Sequence, residues 1–180
     1  MKGFSSTTYL VYTALAVVFL TVCAWISIPI GNLSITLQTF AIFLIAGILK
    51  PKFSFFAVFT YVLLGFIGVP VFAGGTGGAW KLFDVTGGYL IGFLIVTPIA
   101  SIFLKEQNSY LKNLAVMCLA LFICYVVSAI WLSFIFFRKG VTEEIVAIFS
   151  VYVLPYLMFD ALKICLADYC FVKFKNIKNK

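Results

Sequence analysis

The sequence predicts an all-α integral membrane protein, a six-transmembrane-helix bundle forming a single membrane domain over residues 1–180. Three observations carry that expectation. The chain is 64% hydrophobic and 11% charged, with a mean hydropathy of +1.16, whereas ordinary globular chains carry about 25% charge. Its apolar residues fall in long runs, and a helix needs about 20 of them to cross about 30 Å of hydrocarbon. A length of 180 residues then accommodates at most about six or seven crossings with short loops, leaving no space for a soluble domain beside them.

The first span is read as Thr8–Ile28, ended by Pro29, Gly31 and Asn32. Its apolar run is longer than a signal-peptide core and has no A-x-A-like cleavage site, so it is expected to be retained. The second span, Thr36–Leu49, is short and ends at "KPK". The third, Phe53–Ile67, runs into the glycine-rich stretch "GVPVFAGGTGGAWKLFDVTGG". The fourth is Tyr89–Leu104, ended by "KEQNSYLKN", and the fifth is Leu114–Phe137, ended by "RKG". The sixth is Leu157–Phe174, with Pro155 marking its outer start and a Lys-rich tail after it. Between the last two lies "TEEIVAIFSVY", where Thr142 is placed to cap a short helix with Glu143 and Glu144 in its first turn. That run is too short to span.

Charge sets the orientation. With six spans, Lys2, Lys50, Lys52, Lys105, Lys112, Lys173, Lys175, Lys178 and Lys180 share one side, against Lys81, Arg138 and Lys139 on the other. The positive-inside rule then puts both termini in the cytoplasm of a plasma-membrane, multi-pass protein. Trp25, Trp80, Trp131 and Tyr152 fall near the outer interface as an aromatic belt. Because the basic residues sit at span ends, the net charge of +7 does not indicate nucleic acid. The five cysteines lie in apolar runs with no CxxC and no His in the chain, and are expected to be small buried hydrophobes rather than metal ligands.

The sharpest functional signal is "LPYLMFDALKICLADYC", which places Asp160 and Lys163 inside a membrane helix. Either residue costs about 2.5–3.5 kcal/mol at a helix centre. Three residues apart, they share one face. Two readings stand: a polar ligand site open to the outside, or a structural clasp between helices. Asp168 is about 140° around the helix from Lys163, a poor partner for it, and is expected at the inner interface near Lys173 and Lys175. Gln38 is a lone amide near the outer end of the second span, able to bridge helices or meet a ligand with amide or ureido edges. The glycine-rich stretch from Gly65 to Gly88 is expected to form a compact lid or pocket wall, with Phe72, Trp80, Phe83 and Tyr89 as aromatic walls.

Catalysis and nucleotide binding find no support. "GGTGGAWKLF" lacks the Walker spacing, and there is no GxGxxG, no H-E-x-x-H and no G-x-S-x-G. The carboxylates Asp84 and Asp160 do not sit in a context that favours an intramembrane aspartyl dyad. No enzyme activity and no cofactor are expected.

Four segments in order resemble a known family, the biotin-specific substrate-binding subunit (S component, BioY family) of energy-coupling-factor transporters. "ITLQTFAIFLIAGIL" is similar to its V-T-L-Q-T run, and "YVLLGFIGVPVFAGGTGG" to its glycine-rich signature. "TGGYLIGF" resembles the end of its P-T-G-G-Y-L-x-G-F run, and "LPYLMFDALKICLA" its P-F-x-x-x-D-x-x-K segment. The resemblance implies a six-helix fold and capture of biotin at the outer face. It also implies import with a transmembrane coupling (T) subunit and cytoplasmic ATPase subunits. By the same resemblance, Asp160 and Lys163 contact biotin, and Gln38 and Thr86 line the pocket. Asp84 stands where the family commonly has Gly or Asn, and can accept a ureido N–H. Val85 stands where Pro is usual, and "YTALAVVFLTV" lacks the A-x-x-x-A spacing of the first helix. The valerate carboxylate needs a further donor, a loop N–H or Lys81. Two other readings remain at this point: an S component for another vitamin (thiamine, riboflavin), and a non-transport structural membrane protein.

Overall fold

Helices form along the apolar runs, and the chain breaks them where Pro, Gly and polar clusters fall. The computed structural model describes residues 6–30, 33–106, 109–138, 140 and 154–178. The order is α1 (Ser6–Trp25), β1 (Ser27–Ile30), β2 (Leu33–Thr36), α2 (Gln38–Ile48), α3 (Pro51–Phe66), α4 (Gly87–Glu106), α5 (Tyr110–Arg138) and α6 (Leu154–Lys178). Two 3₁₀ turns, Ala73–Gly75 and Ala79–Phe83, lie between α3 and α4. The Thr142–Tyr152 segment, Gly31, Asn32, Lys2, Lys139 and Lys180 lie outside the described residues.

The expectation of an all-α chain needs one correction. α1 stops at Trp25, three residues short of Ile28, and the chain turns into an antiparallel hairpin pairing Ser27 with Thr36 and Ile30 with Leu33. The cause is local. Ile28 precedes Pro29, which biases it away from the helical region, and Ile30 and Ile35 suit a strand. The Leu37 N–H then donates to the Cys23 carbonyl at 3.1 Å, tying the hairpin's exit to the end of α1.

α3 begins at Pro51, whose fixed φ and missing N–H suit the first helical turn. Among the described residues, three helices are long and apolar enough to cross a membrane: α1, α4 and α5. α2 and α3 are apolar but shorter, and α6 is 25 residues long with Asp160, Lys163 and Asp168 within it. The protein is thus a helical membrane protein.

α6 divides its residues cleanly between a buried face and an outer one. Its buried residues are Tyr156, Asp160, Lys163, Ile164, Ala167, Asp168 and Phe171, spaced as one helical stripe, while Met158 and Leu162 face outward. The polarity is inverted relative to a water-soluble helix. Greasy side chains cover much of the outside, and Asp160, Lys163 and Asp168 face the bundle interior.

α4 packs along α5, and α2 packs on both α4 and α6. Close approach explains part of this: a Cβ at Gly88 would lie 2.8 Å from both Ser128 Cα and Trp131 Cβ. The core runs from Leu20 through Ala46, Tyr61 and Leu104 to Ile164. A smaller cluster, Ile35, Val85, Leu132 and Tyr156, closes the hairpin end. Of the cysteines, Cys23 and Cys124 are buried as expected, but Cys118 and Cys165 are exposed and Cys170 is half-buried. A thiol is apolar enough to face hydrocarbon as readily as a core.

Candidate functional site

A cavity of about 120 Å³ opens where the hairpin, the glycine-rich segment and the helices α2, α4 and α6 converge. Each wall has a local cause. The glycine-rich segment can fold back on itself because Gly74 and Gly75 take φ of 68° and 70°, a region side chains rarely adopt. Phe72 and Thr76 then close a turn, the Phe72 N–H donating to the Thr76 carbonyl at 2.9 Å. Gly65 on α3 leaves the space that the Phe72 ring occupies. Phe72 is therefore buried, edge-on to Tyr61 at 5.5 Å between ring centres.

At the α6 wall, Lys163 Nζ donates to Asp160 Oδ1 at 2.7 Å, with side-chain exposures of 10% and 8%. The Tyr125 hydroxyl, reaching across from α5, donates to Asp160 Oδ2. Asp160 keeps about two of a carboxylate's four lone-pair sites, and Lys163 two of three ammonium protons. Neither group is spent on the other.

Gln38 opens α2 on the opposite wall. Its Oε1 accepts from the Thr36 hydroxyl at 2.9 Å, and its Nε2 donates to the Tyr61 hydroxyl at 2.8 Å. These bonds fix which way the amide points and leave it one donor and one acceptor. Thr86 caps the start of α4, with its carbonyl accepting from the Tyr89 and Leu90 N–H groups. Its hydroxyl donates to the Lys81 carbonyl at 3.1 Å.

Six of the eight residues picked from the sequence, Gln38, Phe72, Thr86, Tyr89, Asp160 and Lys163, line this one cavity, and so does Lys81. Trp80 and Asp84 do not line it. Trp80 is 58% exposed, and its ring lies under the Lys81 ammonium, 4.5 Å from it. Asp84 is half-exposed, and its carbonyl accepts from the Trp131 indole at 3.2 Å. Sequence reasoning missed Tyr156 and Phe93, which add aromatic surface, and Thr36 and Thr39, which add hydroxyls. It also missed Tyr125 and Tyr61, which hold the polar groups from behind. Asp168, expected in a structural role near the inner interface, is fully buried and accepts from Asn113 Nδ2 at 2.9 Å. Among the described residues no group of three or more His, Cys, Asp or Glu could hold a metal ion.

An interior cavity with a buried ion pair, a fixed amide and aromatic walls, set in a helical membrane protein, offers donors, acceptors and ring surfaces that suit a small polar ligand. Comparison with known proteins sharpens this reading. The BioY family matches residues 1–180, and the chain belongs to that family. It is 37% identical to the biotin transporter BioY of Thermotoga maritima over 168 residues, covering 93% of this chain and 94% of the relative. It is 40% identical to the biotin transporter BioY2 of Lactococcus lactis over 126 residues, 67% of each chain. Among solved structures, it resembles an S-component for biotin from an ECF-type ABC transporter. The TM-score is 0.84 at 26% identity, covering 97% of this chain and 95% of that one. The four-motif resemblance is thereby borne out. The family is one of transport proteins, and the chain is not an enzyme.

Proposed function

We propose that this chain is the substrate-binding S component of a vitamin uptake transporter, and that it captures biotin at the outer face in the cavity described above. The observation that carries the reading is the buried Asp160–Lys163 pair, which opens on that cavity with donor and acceptor capacity still free. The relatives' printed activity points the same way.

The chemistry matches group by group. A ureido ring offers two N–H donors and a carbonyl acceptor. Asp160 takes N–H groups, Lys163 donates to the carbonyl, and Gln38 serves either edge. The fused rings lie against Phe72 and Tyr89. Lys81, on the glycine-rich segment, receives the valerate carboxylate, with Trp80 holding its ammonium and Asp84 bracing the turn that follows. Thr86 fixes the start of α4 beneath the ligand.

In this reading, residues 1–180 form one membrane domain that crosses the plasma membrane six times with both termini in the cytoplasm. The short α2 and α3 cross with the help of their flanking turns. The chain carries no nucleotide motif, so transport draws on a transmembrane coupling (T) subunit and cytoplasmic ATPase subunits.

A thermal-shift panel on the detergent-purified protein tests this. Ligand at about 100 times its Kd stabilises by about 2.7 kcal/mol. Biotin is expected to raise the melting temperature, with thiamine and riboflavin inert. A shift with thiamine or riboflavin alone assigns the S component to another vitamin. No shift with any of them favours the helix-clasp reading.

A further inference from the structure

We infer that Tyr125 is a positioning residue for the ligand site, acting on the ligand through Asp160 without reaching the cavity itself. The inference rests on the reading of the cavity as a biotin site. Tyr125 lies on α5, is 4% exposed and does not line the cavity. Its hydroxyl donates to Asp160 Oδ2, while the Lys163 ammonium holds Oδ1.

These two donors arrive from different elements. Lys163 is on the carboxylate's own helix, one turn away, and Tyr125 is on the neighbouring helix. The terminal torsion of an aspartate is soft, so a carboxylate gripped at one oxygen still swings. Gripped at both, it cannot, and its two remaining lone-pair sites keep a set direction. A ligand that donates N–H groups to Asp160 then meets acceptors already aimed, which saves the loss of freedom on binding. Tyr125 also backs the wall: its ring meets that of Tyr89, a cavity residue, at 90° and 6.2 Å. A phenylalanine would supply that contact without the grip. The hydroxyl's role is therefore to aim the carboxylate, and it discriminates between ligands by the N–H groups they offer.

The test compares biotin with an analogue methylated on a ureido nitrogen, by calorimetry on wild type and Tyr125→Phe. The variant keeps the ring and loses one hydrogen bond to a charged group. Biotin affinity is expected to fall about tenfold, and the preference for biotin over the methylated analogue is expected to shrink. Equal weakening of both ligands marks a purely structural role and overturns the inference, as does unchanged biotin affinity. Replacement of Tyr125 by 3-fluorotyrosine, which is nearly isosteric, guards against misfolding. Its more acidic hydroxyl is expected to widen the preference, and an unchanged ratio counts against the inference. If folded wild type shows no biotin binding, the biotin reading fails and this one with it. Saturable wild-type binding with an unaltered preference in both variants removes only the role of Tyr125.

Discussion

The Lys163 ammonium lies 2.7 Å from Asp160 Oδ1, one helical turn along α6, with both side chains nearly closed off from the exterior. Breaking a buried pair by removing one partner costs about 3–5 kcal/mol because a buried charge is left uncompensated, and neutralising both partners together avoids that penalty. Lys163→Ala is therefore expected to lower the melting temperature and to weaken biotin by at least about tenfold, on the order of 1.4 kcal/mol. The double variant Asp160→Asn with Lys163→Met should recover most of the stability and none of the affinity. Melting temperature and calorimetry on the same samples separate the two effects, and a double variant that binds biotin normally removes the pair from the site.

Lys81 is expected to answer to the ligand's carboxylate. Lys81→Ala should weaken biotin several-fold and leave biotinamide, which lacks the negative charge, almost unaffected. The wild-type preference for biotin over biotinamide should also fall modestly with added salt, since Lys81 is only half-buried and salt still screens it in part. Parallel titrations of the two ligands at low and high salt check this. An equal loss for both ligands places the lysine elsewhere.

Gly65 makes space for the Phe72 ring, and Phe72 packs on the Tyr61 that holds Gln38. Gly65→Ala forces the ring to move. Overpacking of this kind costs about 1–3 kcal/mol, so the melting temperature should drop and biotin affinity with it. A Gly65→Ala protein with wild-type stability would show that the ring yields freely.

Asp168 and Asn113 form a second buried polar contact, eight residues along α6 from Asp160, or about 12 Å at the helical rise. Asp168 Oδ2 and Asn113 Oδ1 are buried with no hydrogen-bond partner among the described residues. The contact joins α5 to α6 away from the cavity. Asn113→Leu is expected to destabilise the protein by about 1–3 kcal/mol by leaving a carboxylate unmatched, with biotin affinity held within about twofold. A large loss of affinity at full stability would tie this contact to the ligand.

Much of this was readable from the chain because lipid is an unforgiving solvent. A helix in hydrocarbon must be apolar outside, so Asp160, Lys163 and Gln38 stood out against their runs, and the structure gathers them at one cavity. The hairpin was missed: "SIPI" and "LSIT" are as apolar as the helices beside them, and the signals that separate the two states, Pro29 and the Gly31–Asn32 pair between the two runs, were read only as the end of a span. Tyr125 gave no signal because a tyrosine in a membrane helix is ordinary, and its partner appears only when α5 packs on α6. Trp80 shows the reverse failure. Its residue type suits a ligand wall, but which way an aromatic side chain in a loop faces is set by neighbours distant in sequence. Here it supports a cation instead. Asp168 was judged by its nearness to the basic tail, while its burial depends on Asn113 from another helix.

The most direct measurement of the central claim is a calorimetric titration of biotin into the detergent-purified wild-type chain and into Asp160→Asn. The account predicts saturable one-to-one binding by the wild type, at least about tenfold weaker in the variant. A folded wild type that takes up no biotin, or a variant that binds as tightly as the wild type, would contradict it.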